Sequence, residues 1–304
     1  MPRSASISLS ENSAVGLFYM QQYRFLTIDQ YARVAQLNRS TARDQLRHMQ
    51  RLGLLGFFGN TGLKGHGKTP KVYYLTRKGF DLLHRDCDIP MELLGTHKRV
   101  NIDARWAPQM FHRLRTVDVM IAAELSVTSR PHLAMVKSFI EYRRIKRGNH
   151  ITKETADYIG EEETAENRII PDASFIIENR ETGRRALFLI EMDMATERII
   201  DRISFENRSS LHRKMAQYDR YLEGGRFAKT YAPYGKFRSF TLLFITLNWQ
   251  RIENIREELQ DLSETLADYY RFTTLDMALE DLFGKIWKSR LFTDGAYYQL
   301  VRGS

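Results

Sequence analysis

Residues 26–52 read LTIDQYARVAQLNRSTARDQLRHMQRL, and this stretch contains the signals of two helices joined by a short turn. Thr27 is followed three residues later by Gln30, which is the spacing of a capping box and predicts a helix over 28–36. A second helix is predicted over 40–52, because apolar residues recur there three and four apart: Ala42, Leu46 and Met49. The stretch therefore predicts a helix-turn-helix.

The other face of the 40–52 helix is basic and hydroxylated. It carries Ser40, Thr41, Arg43, Arg47 and Arg51. In a helix-turn-helix the second helix of the motif enters the major groove of DNA, where Arg side chains bind guanine edges and hydroxyl groups contact phosphates. We therefore expect these five side chains to bind double-stranded DNA.

The residues around the motif complete a domain. A helix is predicted before it over 12–23, and two short strands over 54–58 and 71–75 follow, with a further helix from about 76 to 84. This order is typical of a winged helix-turn-helix domain, which we assign to residues 1–88. The glycine-rich loop between the strands is the predicted wing, and its basic side chains are expected to contact the phosphate backbone of DNA: Lys64, His66, Lys68 and Lys71.

Positive charge is concentrated in the same segment. The chain has 46 Lys and Arg against 37 Asp and Glu, and residues 1–90 hold 13 of those bases but only 6 of those acids. This segment therefore has a net charge of +7, whereas the rest of the chain has +2. Such a segment is suited to a polyanion, and the alternative is a solvated basic face that has no partner.

The predicted wing also matches a phosphate-binding expression. Residues 62–69 read GLKGHGKT, which fits G-x-x-x-x-G-K-[ST]. A loop of that kind binds nucleotide when a helix begins directly after it, because the amides at the start of the helix face the phosphates. Here Pro70 and the strand-forming segment 71–75 follow the loop, so we expect a wing and no bound nucleotide.

The rest of the chain mixes strands with helices. Residues 89–110 are predicted to be a linker, and residues 111–304 a second domain. Its predicted helices lie over 111–125, 195–223, 248–269 and 275–288, and its predicted strands over 139–145, 173–178, 186–193 and 239–246. Strands mixed with helices over a segment of this length predict an α/β (α+β) domain.

Two of the predicted strands carry the candidates for catalysis. Asp172 stands at the entry to one apolar strand, and the next strand reads LFLIEMD over 187–193, so that four apolar residues lead into Glu191 and Asp193. Residues two apart on a strand point to the same face, so we expect Glu191 and Asp193 to lie together. Carboxylates at the end of a central strand provide hard oxygen ligands for Mg²⁺ or Mn²⁺, and Asp172, Glu191 and Asp193 are the predicted metal ligands.

At Pro171-Asp172 and Glu191-Met192-Asp193 the sequence resembles the PD-(D/E)xK, restriction-endonuclease-like fold. The resemblance implies metal-dependent hydrolysis of a phosphodiester by the acids together with a lysine. The residue at the usual lysine position is Asp193, and some members of that superfamily carry the lysine on the following helix. Lys214, one helical turn before Tyr218, is therefore the candidate, and the implied catalytic set is Asp172, Glu191, Asp193 and Lys214.

The winged helix, the acid-bearing strands and the helix with Lys214 and Tyr218 together resemble the replication-relaxation family over about residues 12–250. That family comprises plasmid replication and mobilisation proteins, including relaxases that resemble endonucleases. The resemblance implies a sequence-specific DNA-binding protein of a plasmid or mobile element, which acts in replication or conjugative mobilisation and nicks DNA with a divalent cation. It also implies replication or transfer proteins as partners.

Other functions stay open on the sequence. One is a non-enzymatic DNA-binding regulator or initiator, in which the nuclease-like domain is a degenerate scaffold for dimerisation or partner binding; Asp193 at the lysine position favours it. Another is a regulator that senses a small ligand. A further alternative is a covalent mechanism with Tyr218 or Tyr221 as the nucleophile. The apolar residues of 252–266 are expected to pack in the core, with a homodimer seam as the alternative.

Composition excludes several classes. The single cysteine, Cys87, excludes a disulfide framework and Cys-based zinc fingers, and it favours a reducing cytoplasm. The longest apolar run, around 242–245, is far shorter than the ~20 residues that cross a bilayer. The first residues lack the apolar stretch of a signal peptide, so we expect a cytoplasmic protein without a membrane partner.

Overall fold

The computed structural model describes residues 9–59, 62–63, 67–97, 99–100, 109–147, 150–194 and 211–301. By their contacts the residues fall into two units, Met1–Ile121 and Ala122–Ser304. The division lies inside the helix Gln109–Thr128, whereas the sequence places a linker at 89–110, part of which is outside the described residues. The limits 1–88, 89–110 and 111–304 stay predictions.

The first unit consists of short helices and a small antiparallel sheet. Its helices are α1 (Glu11–Tyr23), α2 (Ile28–Val34), α3 (Arg39–Arg51), α4 (Arg77–Arg85), α5 (Met91–Leu94) and the first part of α6 (Gln109–Thr128). Its strands are β1 (Leu26–Thr27), β2 (Leu55–Gly59), β3 (Gly62–Leu63), β4 (Gly67–Lys68) and β5 (Lys71–Leu75). Strands β1, β5 and β2 form one sheet in that order, and β3 pairs with β4.

Side-chain caps determine where α2 and α3 begin. Thr27 Oγ1 accepts a hydrogen bond from Gln30 N at 3.2 Å, and Gln30 Oε1 accepts one from Thr27 N at 2.9 Å, so the predicted capping box is confirmed. Asn38 caps α3 through Thr41 N at 2.9 Å, so that helix begins at Arg39, one residue before the predicted start. Its predicted apolar stripe is buried: Ala42, Leu46 and Met49.

A glycine allows α1 and α2 to pack closely. A Cβ atom at Gly16 would lie 2.2 Å from the ring of Tyr31, which no side chain could tolerate without a shift. The hydroxyl of Tyr31 donates to Gln45 Oε1 of α3 at 2.9 Å. The fully buried Tyr31 therefore connects all three helices and fixes the orientation of α3 in the first unit.

The second unit is organised around a six-stranded mixed sheet. Its order is β15-β14-β13-β12-β11-β6, in which β12, β13 and β14 are parallel and the other neighbours are antiparallel. The strands are β6 (Leu133–Ile140), β11 (Ala173–Asn179), β12 (Arg185–Met192), β13 (Thr241–Thr246), β14 (Tyr270–Thr274) and β15 (Lys288–Ser289). Two further pairs lie between β6 and β11 along the chain: β7 (Arg144–Arg147) with β8 (His150–Lys153), and β9 (Asp157–Tyr158) with β10 (Arg168–Ile169).

Helices pack on this sheet and confirm the predicted α/β (α+β) class. They are α7 (Leu211–Gly224), α8 (Phe227–Thr230), α9 (Trp249–Glu258) and α10 (Leu275–Glu280). Met215 and Tyr218 of α7 share one buried cluster with Leu189 of β12. Because alternate residues of a strand share a face, Glu191 comes onto the face that α7 covers. None of the helices in the described residues is long and apolar enough to cross a membrane.

Several predicted element bounds are wrong. The helix predicted over 248–269 ends at Glu258, and a 3₁₀ turn at Glu264–Tyr269 follows. The break allows the apolar residues of the helix and those of the turn to pack in the same core. The homodimer seam considered as an alternative along 252–266 therefore has no continuous helix. Ile252 and Ile255 are fully buried within the unit, as core packing requires.

Other bounds differ because apolar periodicity does not separate short helices from short strands. The strand predicted over 139–145 is divided into β6 and β7, and the helix predicted over 275–288 ends at Glu280. Of the helix predicted over 195–223, residues 195–210 lie outside the described residues.

Candidate active site

Asp172 and Glu191 lie at the same end of two neighbouring strands. Asp172 directly precedes β11, and β11 runs antiparallel to β12 with Ala173 opposite Ile190. Asp172 N donates to Ile190 O at 3.0 Å, and Met192 N donates to Asp172 Oδ2 at 2.7 Å. The backbone of β12 thus holds the carboxylate of Asp172 beside Glu191.

Helix α7 brings two more polar side chains to Glu191. The hydroxyl of Tyr218 donates to Glu191 Oε1, and Lys214 Nζ lies 2.6 Å from Glu191 Oε2. That second contact is an ion pair without hydrogen-bond angles, since Oε2 accepts no hydrogen bond within the described residues. Glu191 and Tyr218 are fully buried, whereas the side chain of Lys214 is 31% exposed. The predicted Asp172, Glu191 and Lys214 are therefore brought to one place.

Burial dominates the electrostatics of this group. It raises the pKa of Glu191 to about 8, an effect that the positive charge of Lys214 opposes and the negative charge of Asp172 reinforces. Burial, and then the charge of Glu191, raise the pKa of Tyr218 well above its usual range. Glu191 therefore holds its proton unusually tightly, and additional positive charge would favour the carboxylate form.

The structure does not bring Asp193 to the other two acids. β12 ends at Met192, so the strand alternation on which that expectation depended does not extend to Asp193. Its carboxylate instead contacts Arg251 of α9, with Nη2 3.1 Å from Oδ1 and Nε against Oδ2, and it accepts from Thr246 Oγ1 at 3.1 Å. Asp193 is thus held in a two-point ion pair with Arg251.

The remaining pair of acids fits a divalent cation. In the described part of the chain, no group of three or more His, Cys, Asp or Glu side chains is placed to hold a metal ion. Mg²⁺ nevertheless commonly binds through one or two protein carboxylates and completes its shell with water. Asp172 and Glu191 supply such a pair of oxygen ligands, and Lys214 Nζ already lies 2.6 Å from Oε2 of Glu191. These two acids would hold Mg²⁺ or Mn²⁺.

The two tyrosines considered as nucleophiles are both enclosed. The hydroxyl of Tyr218 donates a hydrogen bond to Glu191, and the hydroxyl of Tyr221 donates one to Asp157 Oδ2. Burial raises the pKa of each well above the usual range. A nucleophile must reach phosphorus and lose its proton, so this geometry favours Tyr218 as a residue that positions Glu191.

The basic face predicted on α3 is exposed in the first unit. Ser40, Thr41, Arg43, Arg47 and Arg51 are all exposed. Asp44 lies 3.8 Å from both Arg43 and Arg47, and these surface pairs are too exposed to hold either side chain firmly. The face is therefore free to present its cations to a polyanion.

The predicted wing residues differ from one another. Lys64 and His66 lie outside the described residues, and Lys68 is exposed. Lys71 instead packs back on the unit: its Nζ lies 3.6 Å from the centroid of the Phe57 ring and 3.3 Å from Gln50 Oε1. Burial and the charge of Arg47 lower the pKa of Lys71. The position of Lys71 is thus next to α3, at the base of the predicted wing.

Sequence reasoning missed the residues that fix α7. Asp219 Oδ1 accepts from Arg290 Nη1 at 2.7 Å and from the hydroxyl of Tyr270. All three side chains are buried, and the partners lie 71 and 51 residues away along the chain. No local pattern identifies such contacts, yet they hold the helix that carries Lys214 and Tyr218.

Comparison with protein families identifies a match. The sequence model of a family described as replication-relaxation matches residues 17–235. A search of curated proteins finds no relative.

Proposed function

Since the chain belongs to the replication-relaxation family, we propose that it binds a duplex DNA site through its first unit and nicks a strand through its second. Family membership indicates a role in plasmid replication or relaxation, and therefore an interaction with DNA. More specifically, we propose that the protein belongs to a plasmid or mobile element and acts in replication or conjugative mobilisation. Its chemistry is metal-dependent hydrolysis of a phosphodiester.

One observation carries the proposal: Lys214 and Tyr218 of α7 converge on Glu191 beside Asp172. Two acids that can hold a cation, with a lysine beside them, suit cation-assisted phosphodiester hydrolysis. The arrangement also supports the PD-(D/E)xK-like reading of the second unit, with the lysine taken from α7. The usual lysine position is Asp193, which is paired with Arg251.

Each side chain of the group has a separate task in this mechanism. Asp172 and Glu191 would hold Mg²⁺ or Mn²⁺, which would supply positive charge for the phosphate oxygens in the transition state. Tyr218 fixes Oε1 of Glu191 and Met192 N fixes Oδ2 of Asp172, so both carboxylates keep their orientation. Lys214 reaches solvent at one end of the site and is placed to orient the attacking water.

Recognition of duplex DNA is assigned to the first unit as a winged helix-turn-helix. The order α1, α2, α3, then β2 and β5 with the β3–β4 pair between them, supports this assignment. In it α3 enters the major groove with Arg43, Arg47 and Arg51, and Ser40 and Thr41 contact phosphates. Lys68, with Lys64 and His66, contacts the neighbouring backbone.

A second candidate function is a non-enzymatic initiator or regulator. The ion pair between Asp193 and Arg251 favours it. The residue at the usual lysine position is an Asp, and its contacts within the unit are those of a structural residue. In that case Asp172, Glu191 and Lys214 would form a buried polar group that stabilises a scaffold for a second copy or for a replication or transfer protein.

Nicking of supercoiled plasmid that carries the DNA flanking this gene separates the two functions. Wild type, Asp172→Asn and the exposed control Asp276→Asn are compared in Mg²⁺, Mn²⁺ and EDTA. Metal-dependent nicking that is lost only in Asp172→Asn supports the nuclease. Tight binding without nicking in any metal supports the scaffold.

A further inference from the structure

A basic hairpin in the second unit has no part in the function proposed so far. β7 and β8 pair antiparallel, with Arg144 opposite Lys153 and Lys146 opposite Ile151. Gly148 and Asn149, which join the strands, lie outside the described residues. The hairpin was not predicted from the sequence.

Both ends of the hairpin are attached to the segment that carries the first acid. Before the hairpin, Glu141 N donates to Asp172 O at 3.0 Å. After it, Thr155 Oγ1 donates to Pro171 O at 2.6 Å. The base of the hairpin is therefore fixed next to Asp172.

One face of the hairpin combines cations with an exposed apolar side chain. Residues opposite each other in an antiparallel pair share a face, so Arg144, Lys146, Ile151 and Lys153 lie on the same side. Ile151 is 70% exposed, the largest exposed fraction among the large apolar side chains of the described residues. Arg144 and Lys146 are exposed as well. Lys153 of the same face forms an ion pair with Glu141.

The opposite face of the hairpin is already occupied. Thr152 Oγ1 accepts from Arg168 Nη2 at 3.0 Å, and Arg147 donates to the carbonyl groups of Glu154 and Ala156. The face with Ile151 is therefore the one directed away from the unit. A single exposed apolar residue is ordinary on a protein surface, but here it stands among cations on an anchored ribbon.

We propose that this hairpin is a second DNA-contact element, which inserts Ile151 between base pairs while Arg144 and Lys146 contact the flanking phosphates. Apolar wedges flanked by Arg and Lys are how proteins unstack and kink a duplex from the minor groove. The charge of the face is complementary to DNA. The inference rests on the proposed function, because it assumes that the second unit, which also carries Asp172 and Glu191, acts on DNA.

Base unstacking can be measured with 2-aminopurine, whose fluorescence rises when it leaves the stack. The probe is a duplex of about 30 bp with 2-aminopurine at TA steps, which kink easily. The full chain is added to saturation at low salt. We expect wild type to increase the fluorescence and Ile151→Ala to lose most of that increase while still binding the duplex. The control Leu93→Ala removes another exposed apolar side chain, 60% exposed, and should behave as wild type.

The salt dependence of affinity tests the cations of the same face. Arg144→Ala and Lys146→Ala should each reduce the slope of log K against log salt by about 0.9, the value for one lost phosphate contact. The control Lys285→Ala, another exposed lysine of the second unit, should leave the slope unchanged.

The outcomes separate the hairpin from the proposed function. If wild type binds the duplex but gives no fluorescence increase, or Ile151→Ala gives the same increase, the wedge is overturned. Unchanged slopes in both charge variants overturn the phosphate contacts. If wild type binds neither this duplex nor the DNA flanking its gene, the proposed function is refuted together with the inference.

Discussion

Lys214 Nζ lies 2.6 Å from Oε2 of Glu191, a carboxylate that is only 1% exposed. The lysine comes from α7 and the acid from β12, so the contact joins a helix to the central part of the sheet. A buried acid beside a single cation and a second acid is under-neutralised, because Asp172 adds negative charge to the same place. In the proposed function, a divalent cation would supply the additional positive charge next to Glu191 and Asp172.

Stability should depend on pH through Glu191. Its pKa rises from an ordinary 4.5 to about 8, so between these values the folded chain keeps a proton that the unfolded chain has released. Without metal, this contribution to the unfolding free energy is fully present at the acidic end and is lost as the pH rises through about 8. Urea denaturation of wild type, Glu191→Gln and the exposed control Glu280→Gln across this range measures it. A pH dependence that Glu191→Gln leaves unchanged would contradict the assignment.

Divalent cations should stabilise the chain more at alkaline pH than at acidic pH. A cation must compete with the proton on Glu191, and that proton is released as the pH rises past its raised pKa. The increase in melting temperature caused by Mn²⁺ should therefore be larger at about pH 9 than at about pH 6. Glu191→Gln and Asp172→Asn should remove the increase, and Asp276→Asn should keep it. An equal increase at both pH values would mean that the ion binds elsewhere.

Removing the hydroxyl of Tyr218 should weaken the fold and disturb Glu191. Tyr218→Phe leaves a buried carboxylate oxygen without its donor, which costs about 1–3 kcal/mol. The pKa of Glu191 should rise further, because the hydrogen bond from Tyr218 lowers it. Tyr234→Phe is the control, since that ring packs on Phe139, and it should cost less than about 0.5 kcal/mol. Equal unfolding free energies of the two variants would refute the role of Tyr218.

The buried ion pair behind α7 should be a strong determinant of stability. Arg290→Met leaves Asp219 with an uncompensated charge and should cost about 3–5 kcal/mol of unfolding free energy. Adding Asp219→Asn to that variant should restore part of the loss, because the stranded charge is removed. If the two losses simply add, the residues do not act as a pair.

The α3 face should carry the sequence specificity of DNA binding. Arg43→Ala and Arg47→Ala should each cost about 1–3 kcal/mol of specific binding and relax the sequence preference. Lys68→Ala should weaken binding to all sequences alike, since a phosphate contact carries no sequence information. Arg85→Ala on α4 is the control. Unchanged gel-shift affinity in both α3 variants would refute the recognition helix.

Local signals in the sequence predicted the parts of the fold that depend on neighbours along the chain. The capping box of Thr27 and the buried stripe of α3 follow from spacings of three and four residues, and the structure confirms them. The strands around Asp172 and Glu191 were predicted from one apolar run that follows an acid and one that leads into acids. That Lys214 would join them came from a resemblance and not from spacing.

Features that depend on distant contacts could not be predicted. Strand alternation predicted Asp193 beside Glu191, but the strand ends at Met192. The carboxylate of Asp193 is instead paired with Arg251, which lies 58 residues away along the chain. The helix predicted over 248–269 breaks because of how this segment packs on the sheet. Its apolar periodicity alone carries no information about that packing. The anchored hairpin at 144–153 depends on bonds to Pro171 and Asp172.

The central claim is that Asp172 and Glu191 act as one cation-binding unit in DNA cleavage. The most direct test is a double-mutant cycle on the rate of metal-dependent plasmid nicking, with Asp172→Asn, Glu191→Gln and both together. Residues that act as a unit are strongly non-additive, so each single variant should lose nearly all of the nicking and the double variant should lose no more. Nicking that survives in either single variant, or losses that multiply in the double variant, would contradict the claim.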